Sequence, residues 1–116
     1  MPPQPEVRVD TPENICAFVK RKPDCTAYGY FDKDGIVISN ELDLSTKVDA
    51  SKLLHEMVHY LQDQHEGPTT DCLMYVERER EAYKIQAYVL MRDGEYLAAG
   101  NLQIIARGIH CVDPGQ

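Results

Sequence analysis

Residues 53–61 read LLHEMVHYL, which sets His55 and His59 four positions apart with a carboxylate, Glu56, beside the first. In a helix, residues four apart stack on one face, so both imidazoles can address one divalent cation while Glu56, one step round, reaches water bound to that cation. The chemistry of such a set is hydrolysis. A zinc ion held by three protein ligands keeps a place for water and lowers its pKa from about 15.7 toward about 7. A carboxylate within hydrogen-bond reach then acts as general base. Leu53, Leu54, Met57, Val58 and Leu61 recur at helical spacing, so the segment reads as a helix with a broad, buried apolar face. Imidazoles on so apolar a helix need partners, and a cation with its water supplies them. The bland alternative is a pair of hydrogen-bonded, half-buried histidines.

The third ligand must come from a separate element. Residues 71–92 form a second helix candidate, with Thr70 or Asp71 as cap and Asp93-Gly94 as the stop. Its acidic residues are Glu77, Glu79 and Glu81. Glu77 and Glu81 are four apart and share a face, whereas Glu79 is expected to point elsewhere, into water. The alternating charges from Glu77 to Glu81 also fit a plain solvated, salt-bridging face.

Around Glu81 the sequence reads EAYKIQA, and with His55, Glu56 and His59 it resembles the gluzincin metallopeptidases, including their short minigluzincin and ImmA-type branches. Their third ligand is a glutamate followed by a small residue on a downstream helix. The step from His59 to Glu81, 81 − 59 = 22 positions, accommodates a turn at Gly67-Pro68 and a returning helix. The resemblance covers about residues 26–90 and implies one Zn2+ ion on His55, His59 and Glu81, with Glu56 as the catalytic base of peptide hydrolysis. Glu77 is the alternative ligand. Thermolysin-like members carry an acidic residue one turn after the ligand glutamate, where this chain has Ile85, so a group orienting a ligating histidine must come from Glu77, Asp63 or Gln86. Only 116 − 81 = 35 residues follow Glu81, too few for the second subdomain that supplies the oxyanion donor in larger gluzincins. Tyr75, Tyr83, His65, His110 and Arg107 are the candidates for that donor.

The elements that must position these residues are legible in outline. Residues 1–10 read as a flexible leader with prolines at its start, and 11–116 as a single domain, long enough to bury a core. Thr11-Pro12 opens a short helix through about Lys20. Residues 27–31 and 36–39 are aromatic and β-branched runs around Asp32-Lys33-Asp34-Gly35, a hairpin signal. Ser45 or Asp49 is expected to cap the active-site helix. Residues 95–107 form a last helix or packing segment, closed by Gly108. The fold class is α+β: a zincin-like domain with a small antiparallel sheet, an active-site helix and a ligand-bearing second helix. An exposed sheet edge beside that helix would take an extended peptide as an added strand.

Four cysteines, none in a Cys-x-x-Cys pair, suggest disulfides Cys16–Cys25 and Cys72–Cys111 rather than a cysteine metal site. Disulfides imply a periplasmic or secreted protein, whereas four reduced cysteines would fit the cytoplasm. A net charge of −7 argues against nucleic acid or anionic membrane as partner. No apolar stretch is long enough to span a bilayer. The function expected is a zinc metallopeptidase acting on a peptide or protein substrate. The alternative is a gluzincin-like scaffold that binds metal or protein without cleaving.

Overall fold

The computed structural model describes residues 6–19 and 27–111. Along the chain run β1 (Glu6–Asp10), α1 (Pro12–Phe18), β2 (Gly29–Asp32), β3 (Gly35–Ser39), α2 (Lys47–Glu66), α3 (Cys72–Arg92) and α4 (Tyr96–Gly108). The class is α+β, four helices with a three-stranded sheet of order β1-β3-β2.

The sheet is mixed rather than antiparallel. β2 and β3 form the expected hairpin, but β1 joins the other side of β3 in parallel, with Val7 opposite Ile36 and Val9 opposite Ile38. Residues 6–10, expected within the leader, are therefore a strand, while residues 1–5 lie outside the described ones. Both β1 valines stay exposed, so burial patterning gave no signal. What secures β1 is the ladder to β3 and a two-pronged ion pair from Arg8 to Asp32 of β2, at 2.9 and 2.8 Å. Asp32 also accepts from the backbone of Asp34 and Gly35, which tightens the hairpin turn. At Gly35, φ is +147°, and a Cβ there would lie 2.1 Å from the Glu6 carbonyl oxygen, so only glycine lets β1 pass.

β3 is buried along its whole length. Ile36 and Ile38 pack with Tyr60 of α2, and Phe31, Leu42, Leu53 and Met57 close around them. The apolar stripe of α2 thus faces the sheet. Ile15, the buried residue of α1, belongs to the same side of the molecule, since α1 packs on β3. α1 ends at Phe18, short of the expected Lys20, which lies outside the described residues.

Thr46, rather than Ser45 or Asp49, caps α2, its side chain accepting from the Asp49 backbone N–H at 3.2 Å. Asp49 instead holds the preceding loop by accepting from the Asp43 N–H. Gly67, at φ +82°, ends the helix at the expected turn. Asp71 caps α3 as anticipated. α3 packs between α2 and α4, and at the α3–α4 contact Ala87, Leu90 and Ala99 form a second apolar cluster with Val48, Ala98 and Leu102. Cys72 and Cys111 form a disulfide that ties the start of α3 to the segment after α4. The other expected pair involves Cys25, outside the described residues.

Candidate metal centre

α2 presents a second stripe toward α3, made of Ser51, His55, His59 and Gln62, spaced four, four and three residues apart and so on one face. Facing it, α3 presents Glu79, Tyr83 and Gln86, again at four and three. These two polar stripes meet where α2 and α3 pack together.

The hydrogen bonds fix the state of each imidazole. Gln62 donates through Nε2 to the Arg78 carbonyl oxygen at 3.1 Å and to Glu81 Oε1 at 2.8 Å, so its amide oxygen faces His59 Nδ1, at 2.8 Å. Only a protonated Nδ1 can donate there. On the other ring, Gln86 donates through Nε2 to Ser51 Oγ at 3.0 Å, and that hydroxyl donates to the Val48 carbonyl oxygen. The amide oxygen of Gln86 therefore accepts from His55 Nδ1, at 3.0 Å. In its neutral form each ring is thus left with a bare Nε2 lone pair pointing inward, the two nitrogens 3.1 Å apart.

The carboxylate that joins them is Glu79, not Glu81. Glu79 Oε1 lies 3.0 Å from His55 Nε2 and contacts His59 Nε2. One ligand atom from each of His55, His59 and Glu79 falls within 4.8 Å of the others, and His55 is buried with the remaining two half-buried. Glu81 is exposed and acts one step further out, holding Gln62, which in turn holds His59. Glu77 is exposed and outside the cluster. The register of α3 explains the exchange. Gln86 faces His55, and a residue seven positions earlier returns to nearly the same face, which selects Glu79; Glu81, five positions before Gln86, is turned by about 140°.

Three lone-pair acceptors facing one another repel unless a cation or a proton sits among them. The set fits zinc in ligand type, two imidazoles and a carboxylate. Two of the three separations, 3.0 and 3.1 Å, lie near the edge of about 3.3 Å of a tetrahedral site with bonds near 2.0 Å. In the metal-free protein a proton takes part of that role. Burial works to raise the Glu79 carboxyl, yet hydrogen bonds from His55 and His59 hold it down at about 2. Burial works to lower His59, and its hydrogen bond to Glu79 outweighs that and raises it.

Glu56 stands outside the converging atoms, on the side of α2 turned to β2. It is buried at 8% exposure, and burial pushes its carboxyl up, opposed by His55 and His59 and reinforced by Glu79. A Cβ at Gly29 would come 3.5 Å from Glu56 Cγ and 2.7 Å from the Val37 carbonyl oxygen, so glycine there lets β2 pass against both. Aromatic rings brace the histidines: Phe31 stacks on His59, and Tyr83 lies 4.5 Å from the His55 ring. Of the expected oxyanion donors, Tyr83 is the one set beside the centre. His65 and His110 are exposed, with His110 on the Gly108 carbonyl oxygen, and Tyr75 and Arg107 are exposed as well. Tyr28, which the sequence did not single out, sits edge-on to His55, and burial followed by the Glu56 charge pushes its phenol above the ordinary range.

Ser51, Gln62 and Glu79 are the residues that sequence reasoning missed. A signal existed for the first two: polar side chains at 51, 55, 59 and 62 mark a continuous stripe on one face of the helix. Searches against protein families, curated proteins and solved structures find no match to this chain.

Proposed function

We propose that the protein is a small zinc-dependent peptidase of the gluzincin kind, with zincin-like architecture, in which His55, His59 and Glu79 hold one metal ion and Glu56 is the general base. The observation that carries this reading is the outward commitment of both Nδ1 atoms to glutamine oxygens, which leaves two imidazole lone pairs and a carboxylate oxygen converging on one point. When bound, the ion supplies Lewis acidity, bringing the pKa of coordinated water toward about 7. Glu56 would take a proton from the attacking water and deliver it to the leaving amine. Its buried carboxyl, with a raised pKa, suits both halves of that task.

Among the described residues β2 is an edge strand, and it runs beside Glu56. An extended peptide adding to that edge would bring its carbonyl toward the centre. Phe31 and Tyr28, at and before β2, would form the adjoining wall. The Cys72–Cys111 disulfide supports an oxidising compartment, hence a periplasmic or secreted enzyme. Among the described residues no helix is long and apolar enough to cross a membrane.

The test is hydrolysis of a broad peptide library by zinc-loaded protein. Glu56→Gln is expected to bind zinc as wild type does and to lose about 10²–10⁴-fold in turnover. Equal turnover by the two proteins, or none by the zinc-loaded wild type, contradicts the peptidase reading and leaves a metal-binding scaffold.

A further inference from the structure

The protein carries a net charge of −7, yet the charged residues that line one cleft are all cations. Between α3 and α4 lies a cleft of about 560 Å³ whose walls include Arg80, Lys84 and Arg107 together with Tyr83 and Gln103, and no acidic side chain. Arg80 and Lys84 are one helical turn apart on α3, and Arg107 meets them from the last turn of α4. Among the described residues none of these three cations makes an ion pair. Glu81, three residues before Lys84 and well placed to neutralise it, is engaged with Gln62 instead.

The three cations do not have the same use. Arg80 donates to the carbonyl oxygens of Ala106 and Ile109, at 3.3 and 2.7 Å, and so fastens the end of α4 to α3. Arg107 also answers the negative end of the α4 dipole. Lys84 sits in mid-helix, where no dipole and, among the described residues, no ion pair accounts for it. A solvated face needs no concavity, whereas like charges gathered around a cleft raise the local concentration of an anion. Tyr83 links this cleft to the metal centre, since the same side chain lines the cleft and packs on His55.

We propose that the cleft binds a carboxylate of the peptide substrate, with Lys84 and Arg107 as its charged partners, and so makes the enzyme selective for peptides that present a carboxylate there. This rests on the peptidase reading for the identity of the ligand. The protein's net negative charge disfavours a polyanion such as nucleic acid, while a single carboxylate needs only local attraction. The carboxylate has two possible sources, an Asp or Glu side chain or the free C-terminus of the peptide.

The experiment uses the full chain as Glu56→Gln, which suppresses turnover, and measures binding of three labelled peptides of equal length by fluorescence anisotropy. One is neutral with an amidated end, one carries a glutamate and an amidated end, and one is neutral with a free C-terminal carboxylate. At least one of the two carboxylate peptides is expected to bind about tenfold or more tightly than the neutral one, and the identity of that peptide names the source. The gap should close in Lys84→Gln/Arg107→Gln and persist in Lys84→Arg, with melting temperature confirming that each variant is folded. Single Lys84→Gln, at an exposed mid-helix position, serves should the double variant unfold. Equal binding of all three peptides, or a gap that survives in Lys84→Gln/Arg107→Gln, overturns the proposal. Repeating the titration without metal separates the two readings. A carboxylate-dependent gap in a protein that neither binds zinc nor cleaves keeps the cleft and removes the peptidase.

Discussion

α3 makes two interfaces of opposite character. Toward α4 it buries Ala87 and Leu90 against Ala99, an apolar contact of the ordinary kind. Toward α2 it buries Gln86 and half-buries Glu79 against His55, His59, Gln62 and Ser51, a contact built almost wholly of hydrogen-bonding groups. One helix therefore packs against one neighbour through an apolar cluster and against the other through a stripe of hydrogen-bonding groups. Burying polar groups is unfavourable unless all are satisfied. Along the paired stripes of α2 and α3 both imidazole Nδ1 atoms and both glutamine amides have protein partners, and facing one another between them are three acceptors that a cation would satisfy. The first interface holds the fold, and the second could hold a metal ion.

If that division is right, damage to the two interfaces should separate. Leu90→Ala is expected to lower stability by about 2–5 kcal/mol in denaturant unfolding, with zinc stoichiometry unchanged. Loss of zinc binding in folded Leu90→Ala would break the division. In the opposite direction, Gln62→Leu or Gln86→Leu frees one imidazole to turn and should weaken zinc affinity about 10–100-fold in chelator competition. Unchanged affinity would mean that these amides do not set the rings.

The smallest effect expected is one of pH. In metal-free protein the Glu79–His59 hydrogen bond contributes stability from both ends. The depressed Glu79 loses its share as pH falls from its ordinary 4.5 toward about 2. The raised His59 keeps its share below its ordinary 6.5 and loses it as pH rises through the higher value of the folded state. Thermal melts of metal-free protein should therefore favour the interval between 4.5 and 6.5. The extra stability from zinc should grow in the other direction, as pH rises through the raised folded-state value of His59 and protons cease to compete for its ring. A zinc increment that ignores pH would contradict ligation by histidine.

Much of this was legible in the residues. The His-Glu-x-x-His spacing marked α2 and two facing imidazoles, Gly67-Pro68 and Asp71 marked the turn into α3, and Cys72 with Cys111 formed the expected bridge. The choice among Glu77, Glu79 and Glu81 was not legible from those residues alone, because three acidic residues at alternate positions offer each face of a helix a candidate. Rotation about the axis of α3 is set by Gln86, Ala82 and Leu90, and so by packing rather than by acidic spacing. Gln86 was suspected of orienting a histidine, and following that face back seven residues reaches Glu79. β1 escaped for a different reason, since its valines gain nothing from burial and its place is held by backbone pairing with β3 and by Arg8 on Asp32.

The central claim is that His55, His59 and Glu79 converge on one metal ion, and zinc titration of wild type, Glu79→Ala and Glu81→Ala tests it most directly. The account predicts one ion per chain in the wild type, loss of that site in Glu79→Ala, and retention in Glu81→Ala with affinity within about tenfold, because Glu81 acts only through Gln62. Wild-type protein that takes up no zinc, or Glu79→Ala that binds as tightly as wild type, would contradict it.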